Sequence, residues 1–304
     1  MQGRLVRAVA AAFGAAAVAA AAAQESVLDQ PPDRESWPTE ITRRPLTLAP
    51  GMVEAHVPVH VLASSERFGE PVSIAPSVYY GAAERVTVGL RHFRGLCITG
   101  KSNGCPEVYD DVSVDSIWGL TRDVALGLAL NAGPLDPFAL AVEGRVVARL
   151  ASGPVALTIA PSLNVGITER ETRLLARITD GGALLLFVRP KPLPLAFPLA
   201  TTTWGFFQQE PGNKEFLAVP VSLTVEAVPK VAVSLASALD GPLESSAFPG
   251  TGFGDLYTIP LGAAVIATPD RGFDLGASFT FLNLFGRNGG SEARALQLFA
   301  TYRN

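Results

Sequence analysis

The feature that most constrains this chain is a two-residue alternation of apolar and polar side chains, renewed many times in stretches of about ten residues. Val53, Ala55, Val57, Val59 and Val61 share one parity, and Glu54, His56, Pro58 and His60 share the other. Successive side chains of an extended strand point to opposite faces, so each such stretch has one apolar and one polar side. The pattern returns where Phe138, Leu140, Val142, Gly144, Val146, Ala148 and Leu150 oppose Ala139, Ala141, Glu143, Arg145, Val147 and Arg149. Near the end, Leu296, Leu298, Ala300 and Tyr302 oppose Ala295, Gln297, Phe299 and Thr301. Soluble strands average about 5–6 residues, whereas a tilted strand crossing a bilayer needs about 9–11. The length and alternation predict an all-β fold: an antiparallel transmembrane β-barrel of meander topology, with about 12–14 strands. Strand starts fall near residues 52, 72, 85, 112, 123, 137, 153, 183, 196, 215, 230, 256, 271 and 293, which favours fourteen, with twelve the next number.

Composition agrees. Only 17% of residues are charged, against about 25% in ordinary soluble domains. A net charge of −4 gives no basic footprint for nucleic acid. Residues 1–23 read as a signal peptide: Arg4 and Arg7, then an Ala-rich apolar run, with Ala21 and Ala23 as the small residues before a cut at Gln24. Residues 24–50 are rich in Pro and charge and read as an extended leader, leaving 51–304 for the barrel. In an oxidising compartment, Cys97 and Cys105 are expected to close a small loop as a disulfide. Two observations pull the other way. Pro58, Pro76, Pro161, Pro220 and Pro260 sit inside otherwise good strands, and a closed barrel has no edge strand to receive them. The stretches SIAPSVYYGAAERVTVGL and TIAPSLNVGITERETRLL also look like one repeated hairpin, yet the strand count puts their turns at opposite ends.

The stretch EITRRPLTLAPGMVEAHVPVHV, the turn YGAAERVTVGL and the alternating aromatic C-terminus resemble a loosely defined group of proteobacterial outer-membrane barrels. The resemblance implies an outer-membrane location, contact with membrane lipid and the barrel-assembly machinery, and passage of small solutes. It brings no catalytic residue. The chain departs from the usual assembly signal, in which an aromatic residue comes last, because Arg303 and Asn304 follow Tyr302.

Glu54, His56, His60, Glu143, Arg145 and Arg149 are the residues expected to face the lumen. His56 and His60 lie about 13 Å apart along a strand rising ~3.3 Å per residue, too far to share one metal ion. Glu143, Arg145 and Arg149 either set charge selectivity, as charged rings do in channels, or satisfy one another and fill the interior. Asp110, Asp111 and Asp115 read as a solvated acidic loop, lacking the oxygen ligands that calcium needs. No nucleophile–base arrangement accompanies His92, so no enzyme, metal or cofactor is expected. Two other functions stay open: a structural or adhesive barrel using its long loops, and a soluble secreted β-sandwich or lipid-binding protein.

Overall fold

In the computed structural model, residues 33–63, 68–92, 96–99, 112–135, 138–168, 215–243, 257, 259–281, 284 and 294–304 are described. The strands are β1 (Val53–Ala63), β2 (Phe68–Ile74 continued by Ser77–Ala83), β3 (Val86–Arg91 continued by Leu96–Thr99), β4 (Val112–Gly119), β5 (Val124–Leu135) and β6 (Phe138–Ser152). They are followed by β7 (Val155–Ile159 continued by Ser162–Gly166), β8 (Phe216–Val228), β9 (Val231–Pro242), β10 (Leu261–Asp270), β11 (Phe273–Phe281) and β12 (Arg294–Arg303). Each pairs antiparallel with the next in sequence. The register of β12 against β1, from Arg303↔Glu54 to Ala295↔Leu62, closes the ring. Twelve strands therefore complete the barrel, three of them interrupted once. The two further strands expected near residues 183 and 196 lie outside the described residues. Since β7 bonds directly to β8, the ring closes without them.

The turns after β2, β4, β6, β8 and β10 are short and lie at the same end as both Val53 and Arg303. The other connections run from the opposite end and are mostly longer. Three short turns use positive φ: Gly153 (56°) supplies it in one, and Arg85 (61°) and Lys230 (68°) adopt it in two others without being glycine.

The outside is apolar and the inside polar. Outward positions such as Val114 (54%), Leu128 (47%), Leu235 (52%), Val265 (52%) and Leu298 (50%) are open to the surroundings. Inward positions on the same strands, among them Ser113, Asp115, Asn131, Ser234 and Gln297, are buried. A soluble protein would not turn large aliphatics outward around a whole ring while burying its hydroxyls and amides; a barrel in lipid does. Ring closure and this inversion overturn the β-sandwich alternative. Ten residues at ~3.3 Å rise and a tilt near 40° stand about 25 Å tall, enough for the hydrocarbon layer. Trp118, Tyr80 and Tyr302 are exposed at the short-turn end, and Phe138 and Phe279 toward the other. These positions suit aromatic girdles.

The prolines fit by pairing. Val59↔Ile74 and His56↔Ser77 bracket Pro58 opposite the Ala75–Pro76 break in β2, where the Ala75 amide donates to the Pro58 carbonyl at 3.2 Å. Val221↔Ile159 and Ala218↔Ser162 bracket Pro220 opposite the Ala160–Pro161 break in β7, where the Ala160 amide donates to the Pro220 carbonyl at 3.0 Å. The N–H that proline lacks thus falls where the neighbouring strand is already interrupted, so the loss of ladder bonds is shared. Pro260 stands just before β10 and lends its carbonyl to the Ser237 hydroxyl at 2.7 Å. The likeness between the two sequence stretches is this Ile-Ala-Pro-Ser break, used half a ring apart; their turns do lie at opposite ends.

Candidate functional site: the lumen and its resident segment

Residues 37–49, part of the 24–50 stretch set apart from the barrel in the sequence reading, pack inside it at the short-turn end, whereas 33–36 are exposed. Their one regular element is a 3-10 turn, Ile41–Arg43. Trp37, Ile41, Arg44, Leu46, Leu48, Ala49 and Met52 are all at most 3% exposed. The segment meets inward groups on every side of the ring. The Thr42 amide donates to Glu226 of β8 at 3.2 Å, and the Leu48 amide donates to Thr87 of β3 at 2.8 Å. Arg149 of β6 and Arg122 of the β4–β5 turn donate to the carbonyls of Arg44 and Arg43. The Arg271 guanidinium in the β10–β11 turn holds the Glu35 carbonyl. Upstream, the hydroxyl and amide of Ser36 donate to the Asp33 carboxylate at 2.6 and 2.7 Å, holding its carboxyl below the usual range.

Apolar contacts fill the space between these anchors. Leu46 packs with Ile117, Ala125, Val147 and Ala160. Ile41 packs with Ala232, Ala264, Ile266 and Phe299. Trp37, Leu48, Ala49 and Met52 pack with Tyr79. Gly81 is required here, because a Cβ would run into the Ala49 carbonyl. Trp37, Arg44, Pro45, Leu46, Thr47, Leu48, Glu54 and Arg303 close on one another without leaving space for a water molecule.

Two neutral ion clusters line the wall. At the short-turn end Arg44 grips Asp274 with two hydrogen bonds, 2.6 and 2.9 Å, and Thr268 donates to the same carboxylate at 2.7 Å. Arg303 lies 2.7 Å from Asp274 and also bonds Glu54. The second cluster sits higher. Arg145 bonds Asp115, and Arg91 reaches Glu143 at 3.2 Å and Asp115 at 3.8 Å. Asn131 donates to Glu143 (3.3 Å) and Asn164 (3.0 Å), and Ser113 donates to Asn131 at 2.6 Å. Each cluster holds two cations and two carboxylates, the balance needed when charges leave water.

The structure places all six sequence-selected residues, Glu54, His56, His60, Glu143, Arg145 and Arg149, on the inward face, buried. Of the six it brings only Glu143 and Arg145 into one ion cluster. Glu54 belongs to the lower cluster, and Glu143 and Arg145 to the upper one. Arg149 pairs with Asp123. His56 Nδ1 lies 2.8 Å from the Thr301 hydroxyl, with its ring 5.6 Å from that of Phe299. Of the two readings of Glu143 and Arg145, the structure favours the satisfied network over free selectivity charges. Asp115 corrects the acidic-loop reading, being 1% exposed within β4 and paired with Arg145. Asp110, Asp111 and Cys105, with the side chain of Cys97, lie outside the described residues, as does the expected signal peptide. The sequence reading missed Arg44, Arg91 and Asp274; only strand parity pointed to Asp274, which opposes the outward Phe273 and Leu275.

No protein-family model matches the chain, and no curated protein does either. Among solved structures, it is similar to the NanC porin, with 8% identity and a TM-score of 0.49 over 82% of this chain and 98% of that one. The KdgM porin in complex with disordered oligogalacturonate gives 7% identity and a TM-score of 0.45 over the same shares. KdgM porin alone gives 6% and 0.42, again over 82% and 98%. At these identities and scores the likeness says nothing about what passes through this barrel, whose fold rests on its own closed ladder and inverted faces.

Proposed function

We propose that this chain is exported to the bacterial outer membrane and forms a barrel through which small polar solutes pass. The observation that carries the reading is the inversion around a closed ring: large aliphatics outward, small and polar side chains inward. A lumen walled by Ser, Thr, Asn and Ala suits hydrated solutes better than apolar ones. Short turns and both strand termini at one end suit a periplasmic face there, because barrels of this kind have short periplasmic turns. Signal-peptide export, a disulfide from Cys97 at the outer end of β3 to Cys105 in the β3–β4 connection, and delivery by the barrel-assembly machinery belong to the same reading.

The test has two stages. Expressed protein is fractionated, washed in carbonate and run heated and unheated; retention with a heat-dependent mobility shift is expected. Purified protein is then reconstituted in planar bilayers, where discrete conductance steps are expected. Release by the wash with no shift would remove the membrane location. A folded, membrane-retained barrel that stays silent in every variant would sink the passage reading and turn attention to a structural or adhesive role for the long connections.

A further inference from the structure

We infer that residues 37–51 are a displaceable plug of the short-turn mouth, latched to the wall by Arg44 and hinged at Pro50–Gly51. The inference rests on the passage reading above, since a plug matters only where something passes.

Four observations carry it. First, the segment touches β3, β6, β8 and β11 at once, so it spans the opening rather than lining one side. Second, it is a guest of the ring and not a member. Gly51 and Met52 make ladder-like bonds to Gly81 at 2.8 Å, while the anchors described for residues 35–48 are side-chain-to-backbone bonds or the Arg44 clamp. The β12–β1 ladder closes without it. Third, its wall socket keeps a partner when it leaves. Arg303 lies 2.7 Å from Asp274, so departure of Arg44 still leaves that carboxylate one cation, shared with Glu54. Release leaves the cluster one negative charge in excess, which the second guanidinium tempers and which draws Arg44 back to its socket. Fourth, the chain leaves the lumen at Gly51, whose φ is +78° with nothing near its missing Cβ, and Pro50 beside it is exposed. A swing at this exposed turn meets no side chain and is opposed only by the backbone bonds Gly51–Gly81 and Met52–Ala49.

The experiment reads motion and passage separately in the full-length protein. With Cys97 and Cys105 replaced by serine, Thr47→Cys is exposed to a membrane-impermeant maleimide, with and without Arg44→Ala. Labelling at least tenfold faster with Arg44→Ala is expected, and no change with Arg43→Ala, whose side chain is exposed. In bilayers, a variant carrying Ile41→Ala, Arg44→Ala and Leu48→Ala is expected to conduct severalfold more than the unaltered chain. If Arg44→Ala does not fold, Leu48→Cys with Thr87→Cys serves instead; oxidation is expected to abolish conductance steps and reduction to restore them. Equal labelling with and without Arg44→Ala in folded protein overturns the latch. Equal conductance of plug-locked and plug-loosened barrels overturns the plug and leaves passage intact. Faster labelling with every variant silent upholds the motion and defeats the passage reading.

Discussion

Replacing Asp274 tests whether the lower ion cluster acts as one electrostatic unit. Asp274 is 0% exposed, takes two hydrogen bonds from Arg44 and one from Thr268, and lies 2.7 Å from Arg303. Asp274→Ala leaves two buried guanidiniums facing one carboxylate, Glu54. Removing one partner of a buried pair costs about 3–5 kcal/mol, most of it the penalty on the charge left behind. The diagnostic variant is the double one. Asp274→Ala with Arg44→Ala leaves Arg303 and Glu54 as a neutral pair, so the stranded charge disappears along with its partner. The double variant is therefore expected to be more stable than Asp274→Ala alone, with a coupling energy of about 1–3 kcal/mol. The assay is the urea midpoint of the unheated, fast-migrating band for all members of the cycle in the same lipid. If the two losses simply add, the side chains do not share one charge balance, and the cluster reasoning is wrong.

Other predictions use the same assay or its kinetics. Gly276 in β11 faces Phe299 of β12, and a Cβ there would run into the Phe299 ring, so Gly276→Ala is expected to destabilise by about 1–3 kcal/mol. Lys230→Gly relieves a positive φ in the β8–β9 turn while losing only an exposed bond to the Pro269 carbonyl, and is expected to gain about 0.5–1 kcal/mol in urea. Leu235→Arg places a cation on the outward face and is expected to cost about 2–4 kcal/mol and to slow folding into lipid vesicles; folding as fast as the parent would show that this face does not meet lipid.

The strand faces were legible because burial alternates with period two whether the outer medium is lipid or water. Parity alone placed His56 inward and Val57 outward, and likewise Arg145 and Val146. Strand number was less legible. The runs near 183 and 196 have strand composition, and nothing local tells whether such a run joins a ring; the direct β7–β8 ladder does. Of the ion clusters, only Glu143 and Arg145, two apart on one strand, were legible as mutually satisfied charges. Arg44 and Asp274 are 230 residues apart, and partners at that separation leave no spacing signal. Asp115 was misassigned because it sits near Asp110 and Asp111, although its parity with Ser113 and Ile117 already put it inside. Arg303, a departure from an assembly signal in sequence, takes its inward place between Glu54 and Asp274.

The wall and the plug are matched by volume. Tyr79, Arg145 and Phe299 each lie flat over a glycine directly opposite, Gly89, Gly127 and Gly276, where a Cβ would collide with them. Bulk is thereby stored against the strands, and the vacated centre receives Ile41, Leu46 and Leu48, which pack on Ala125, Ala160, Ala232, Ala264 and these same aromatics. Burying Trp37, Ile41, Leu46 and Leu48 at roughly 1.5–3 kcal/mol each outweighs the few kcal/mol of the Arg44 clamp. That order of magnitudes assigns the roles. The apolar residues keep the mouth closed at rest. The clamp, directional where they are not, fixes the register in which the segment seats, so loosening Arg44 alone multiplies brief openings, and sustained opening requires trimming the apolar residues too.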